Sequence, residues 1–190
     1  IFVFGELEMT IEFRSSFDTG DLSEFTASVG NVTITTENPP SPPYCARCQT
    51  VGTGSEAAPE RVYVSKSVVT PRNFFYAQMW IRLNQMLPVD GNRISLISMT
   101  SGGGAVGSCG VRRSGGVLQW YIIKAATYPA ATGPIVGQKH LLEFFQDTIT
   151  NGLILYIDGV EVLRAPDVSP QNIDAIRFGV VASNIAGVAL

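Results

Sequence analysis

Residues 153–164 read LILYIDGVEVLR. Two apolar arms flank Asp158-Gly159, a pair that enters the left-handed backbone region readily and so suits the two-residue type I′ turn of a β-hairpin. The same grammar extends to both sides. Strand-length segments that alternate or run apolar are NVTITT (31–36), RVYVSKSVV (61–69), FFYAQMWIRL (74–83), RISLISM (93–99), VLQWYIIK (117–124), HLLEFF (140–145), VEVLRA (160–165) and AIRFGVVA (175–182), with Gly, Pro or Asn in the gaps. No stretch holds a period of 3.6 for three turns, and SPQNI (169–173) alone suggests a helical turn. The class is all-β. So many strands in one open sheet would leave an apolar face in water, so they must stack as two sheets or close into a barrel. A sandwich is expected.

A chain of 190 residues fits one domain and can bury a core without staples. The net charge is −3, from 13 basic and 16 acidic residues with no basic run, which leaves nucleic acid and anionic membranes without an electrostatic handle. Apolar runs such as LILYI (153–157) are far short of the ~20 residues a membrane helix needs. A chain beginning at Ile1 without a basic, hydrophobic leader reads as a processed or excised segment, with an extracellular or cell-surface location expected.

Residues 38–59 are rich in Pro, Gly, Ser and Thr and read as a long surface loop. It carries the C-x-x-C of Cys45 and Cys48, while Cys109 stands alone in GSCGVRR. A Cys₃His zinc set with His140 lacks the second paired knuckle, and a thioredoxin-like motif would open a helix after a strand. The expectation is a disulfide from Cys109 to Cys45 or Cys48, with no metal and no cofactor.

The first residues, IFVFGELEMTIEF (1–13), alternate from the start, with Ile1, Val3, Gly5, Leu7, Met9, Ile11 and Phe13 on one face. At ~3.3 Å per residue they would span roughly 43 Å, far beyond a usual strand.

The order SFDTGDLSEFTASVGNVTI (16–34), a strand pair, HLLEFF, LILYIDGVEVLR and IDAIRFGVVAS (173–183) resembles the concanavalin A-like lectin and glucanase superfamily in its laminin-G-like branch, over residues 10–190. The resemblance implies a jelly roll of two antiparallel sheets, often sugar-binding on the concave face. In such domains a segment like SNIAGVAL continues into a last strand beside the first; here IFVFGELEM at the front resembles that piece. Three readings stand open: pairing in cis, insertion into a neighbouring copy, or one over-long first strand. Residues 10–17 already resemble the first strand of the family. The favoured reading therefore makes residues 1–9 a donor strand, with Ile1, Phe2, Val3, Phe4, Gly5, Leu7 and Met9 filling a groove in the next subunit. Head-to-tail contacts of that kind build filaments of identical subunits.

Catalysis finds little support. His140 has no glycine-flanked nucleophile elbow beside it, and Glu6-Leu7-Glu8 imitates the paired acids of glycosidases without the third acid. No enzyme is expected. For sugar binding, alternation makes Phe75, Ala77, Met79, Ile81 and Leu83 core, which turns Tyr76, Gln78, Trp80 and Arg82 outward. Likewise Leu118, Trp120 and Ile122 read as core and Gln119 and Tyr121 as the same outer side. Aromatic rings beside amide and guanidinium groups suit a saccharide platform. Asn31-Val32-Thr33 fits the glycosylation pattern, while Asp147, Asp158, Asp167 and Asp174 have no spacing that assigns calcium. The leading expectation is thus an extracellular filament subunit. Its alternative is a secreted carbohydrate-binding module with polysaccharide as partner.

Overall fold

The computed structural model describes residues 20–36, 45–49, 58–72, 75–84, 86–124, 127–129, 132–147, 152–166 and 171–184. In chain order the strands are β1 (Ala27–Val29), β2 (Val32–Thr35), β3 (Cys45–Cys48), β4 (Glu60–Arg72), β5 (Phe75–Arg82), β6 (Arg93–Ser101), β7 (Gly104–Ser114), β8 (Val117–Ile123), β9 (Thr127–Pro129), β10 (Lys139–Asp147), β11 (Gly152–Ile157), β12 (Val160–Pro166) and β13 (Ile173–Ser183). A seven-stranded sheet runs β1-β4-β13-β6-β7-β8-β9, a four-stranded sheet runs β12-β11-β10-β5, and β2 and β3 form a small ribbon. Every pairing among them is antiparallel. The protein is an all-β jelly-roll sandwich: the alternation predicts the β-sandwich, and the family resemblance implies the jelly roll.

The core lies between the two large sheets. On the seven-stranded side, Phe178, Ile97, Cys109 and Ile122 face one another across β13, β6, β7 and β8, and Ile94, Val111 and Trp120 form a second row. The four-stranded sheet answers with Ala77, Ile81, Leu142, Phe144, Leu153 and Leu155, all in the same buried cluster. Gly107 shows how closely the layers approach: a Cβ built there would come within 2.8 Å of a Leu153 methyl. The Asp158-Gly159 turn is type I′ in sense, since φ is 54° at Asp158 and 80° at Gly159.

Two differences from the sequence reading have physical causes. Residues 45–48 are a strand rather than loop, because CARC finds β2 as an adjacent partner. Of the SPQNI stretch, residues 169 and 170 lie outside the described residues, and Gln171 and Asn172 lead straight into β13. The expected disulfide is absent, and all three cysteines are thiols. Cys48 packs against β13, where a Cβ on Gly179 would meet its Sγ at 2.7 Å. Cys109 sits on β7, separated from β13 by β6, so two strand spacings of ~4.8 Å intervene, more than a disulfide bridges. Burial pushes the Cys48 thiol up to about 11, against a lowering by the Val180 backbone, and pushes the fully buried Cys109 further. The donor-strand segment 1–9, Glu6 and Glu8 included, lies outside the described residues.

Candidate functional site

Among the described residues β5 is an edge strand of the four-stranded sheet, and its alternation is as read: Ala77, Ile81 and the following Leu83 are buried, while Trp80 is 49 % exposed. Tyr76, Gln78, Trp80 and Arg82 therefore share the outer face. β8 also turns Gln119 and Tyr121 outward from the core, but it belongs to the other sheet. The six residues expected in one site thus fall on opposite outer surfaces of the sandwich. Tyr121 is no platform either, because it is fully buried, its hydroxyl 2.8 Å from Ser95 Oγ. Gln119 accepts a hydrogen bond from Arg112 Nε at 3.1 Å. Near them a cavity of about 120 Å³ is lined by Pro59, Arg93, Ser95, Ile123, Ala182, Ser183 and Asn184.

The outer face of the four-stranded sheet is assembled by pairing of β5, β10 and β11. Tyr76 stands opposite Phe145, Gln78 opposite Glu143, Trp80 opposite Leu141 and Arg82 opposite Lys139. Across the next ladder Phe145 meets Ile154 and Glu143 meets Tyr156. The rings touch in series: Tyr76 to Phe145 at 4.5 Å between centroids, Phe145 to Tyr156 at 5.5 Å, both tilted. Tyr76 Oη lies 2.6 Å from Glu143 Oε1 and 2.6 Å from Gln78 Oε1. Burial, then the hydrogen bond and charge of Glu143, push the Tyr76 phenol well above its ordinary range, so it stays a neutral donor. Arg82 Nε donates to Asn84 Oδ1 at 3.0 Å. At β12, Arg164 holds Glu161 in an ion pair of 2.8 Å, and Tyr156 Oη donates to Glu161 at 3.2 Å.

Phe145, Glu143 and Tyr156 were not singled out in the sequence. Alternation in HLLEFF carries a signal for the first two, since Leu142 and Phe144 are core and Glu143 and Phe145 lie between. LILYI has no polar contrast around Tyr156, so its face is not legible locally.

His140 and Asp158 come together in a way the sequence hides. His140 Nδ1 is 2.8 Å from Asp158 Oδ2, and Asp158 Oδ1 accepts the Leu141 N–H at 2.8 Å. The ring also meets Trp120 in a T-shaped contact, with centroids 5.8 Å apart. Asp158 thereby fastens the β11–β12 turn to the start of β10. Asp174 is likewise engaged, accepting from Thr100 Oγ1 and the Gly102 N–H. Among the described residues no three His, Cys, Asp or Glu side chains gather as a metal site. Asn31 is exposed in the turn before β2.

No protein-family model matches this chain, and no curated protein does. Solved structures do. An endo-β-1,4-glucuronan lyase from the fungus Trichoderma reesei superposes with a TM-score of 0.62 at 13% identity, covering 86% of this chain and 82% of the lyase. Domain 4 of AbnA, a GH43 extracellular arabinanase from Geobacillus stearothermophilus in complex with arabinotriose, gives 0.52 at 15% identity, covering 91% and 85%. An alginate lyase of polysaccharide lyase family 7 gives 0.53 at 10% identity, covering 76% and 73%. At these identities the likeness is one of fold, and it agrees with a concanavalin A-like sandwich.

Proposed function

We propose that the protein is a carbohydrate-binding module that holds a polysaccharide on the outer face of its four-stranded sheet. One observation carries this reading: half-exposed Trp80 stands on the same outer face as the ring series Tyr76, Phe145 and Tyr156, with Gln78 and Glu143 among them. Rings of this kind stack on sugar C–H faces while amide and carboxylate groups take hydroxyls. The fold is shared with carbohydrate-acting proteins, including an arabinanase domain bound to arabinotriose. Those neighbours and the exposed Asn31 acceptor pattern support an extracellular or cell-surface location. The role proposed is binding; the His140–Asp158 pair ties the β11–β12 turn to β10, and its ring meets Trp120. A filament subunit rests on residues 1–9 entering a second copy, and nothing among the described residues favours it.

Affinity gel electrophoresis against arabinan, xylan, β-glucan, polygalacturonate and alginate tests the reading. The wild-type chain is retarded by at least one polymer, and Trp80→Ala weakens that retardation roughly tenfold, equivalent to about 1.4 kcal/mol. Its far-UV spectrum stays native, because the ring is outside the core. No retardation by any polymer, or retardation that Trp80→Ala leaves unchanged, overturns the proposal.

A further inference from the structure

Strand pairing divides the outer face into parallel rows. Tyr76, Phe145 and Ile154 make an apolar row across β5, β10 and β11, and one pleat away Gln78, Glu143 and Tyr156 make a polar one. Tyr76 leans between them, its hydroxyl 2.6 Å from acceptors on both Gln78 and Glu143. A phenol has one proton and donates to one acceptor at a time, whereas a carboxylate accepts several hydrogen bonds. Glu143 thus retains capacity for an incoming hydroxyl. Among the described residues the basic groups of this face stand at its margins: Arg82 and Lys139 face each other beyond Trp80 and Leu141, and Arg164 is paired to Glu161 on β12. Asp158, at the turn, is held by His140 and the Leu141 N–H. The middle of the strip is therefore acidic.

We infer that this face takes an uncharged, hydroxyl-rich glycan chain laid across the strands, with its C–H faces on Tyr76 and Phe145 and a hydroxyl donating to Glu143, and that it disfavours polyuronates. The inference rests on this face being the carbohydrate site. A hydroxyl meeting Glu143 makes a charge-assisted hydrogen bond. A polyuronate repeats a carboxylate on every residue, so a chain along the rows brings like charge against Glu143. Attraction to one ligand class and repulsion of another together set selectivity.

The test uses the whole chain at pH 7, in gels containing arabinan, xylan or β-glucan against gels containing polygalacturonate or alginate. Wild type prefers at least one neutral polymer over either polyuronate by tenfold or more. Glu143→Gln narrows that ratio several-fold. Glu161→Gln, an exposed position whose loss releases the Arg164 charge, narrows it in the same direction with less demand on the fold. High salt narrows it as well, since screening weakens the repulsion. Polyuronate binding that equals or exceeds neutral binding and is lost in Trp80→Ala overturns the ligand class but leaves the site standing. A ratio unmoved by both glutamine variants overturns the part given to Glu143. Absence of binding to every polymer, or indifference to Trp80→Ala, overturns the carbohydrate reading itself and this inference with it.

Discussion

Gly110 illustrates how a single residue can be dictated by its neighbours' backbone. A Cβ there would lie 1.9 Å from the Ile94 carbonyl oxygen and 2.9 Å from Ser95 Cα. The cause is local: the β6 ladder slips between Ser95 and Ile97, which drives β6 backbone against β7. Backbone cannot swing aside as the end of a side chain does, so Gly110→Ala should cost about 3 kcal/mol, the upper part of the range for overpacking. Gly116 is the control. Its φ is 78° with nothing within 4 Å of an added Cβ, so Gly116→Ala meets only left-handed strain of about 1 kcal/mol. Denaturant unfolding of both variants checks the order; equal losses would show that β6 can yield at the bulge.

At the scale of elements, the β11–β12 hairpin and β10 are joined through one carboxylate. Burial alone would raise the Asp158 carboxyl, but the Leu141 N–H and the His140 ring outweigh it and hold it below its ordinary value. A carboxyl depressed in the folded state stabilises above its unfolded value, near 3.9, and that contribution is lost as pH falls through the folded value. Stability should therefore decline from about pH 5 downward, in part through this group. Asn tolerates the left-handed conformation of position 158 and still accepts the Leu141 N–H, so Asp158→Asn isolates the charge. Urea midpoints measured from pH 7 to pH 3 should fall less steeply in the variant. Parallel slopes would assign the acid loss to other carboxylates.

For the whole molecule, the three thiols report depth. Cys45 is half-buried, Cys48 buried and Cys109 fully buried on the inner face of the seven-stranded sheet. The thiolate is the reactive form, and burial disfavours it at Cys48 and still more at Cys109. Native protein treated with a thiol reagent at pH 8 should label at Cys45 first, then Cys48. Cys109 should label only at the rate of global unfolding, and denaturant should expose all three together. Mass mapping of the labelled peptides checks the order. Early labelling of Cys109 would mean that the sheets part locally around β7.

Period-two alternation in the sequence determined which side of β5 and β8 is core and which is outer, and the Asp158-Gly159 pair determined the hairpin, because both depend on residues a few positions apart. β7 is not legible locally, since GAVGSCGVRRS is built mostly of small residues; its glycines answer to Leu153 and Ile94, Leu153 being distant in the chain. β3 was masked by its proline-rich setting. Which strands pair is a non-local choice, settled by closing the whole core. Only the tertiary structure could therefore send Tyr76, Gln78, Trp80 and Arg82 to one surface and Gln119 and Tyr121 to the other. For the same reason only it could bring Glu143, Phe145 and Tyr156 to the first group, and set Cys109 on β7, two strands from β13, against which Cys48 packs.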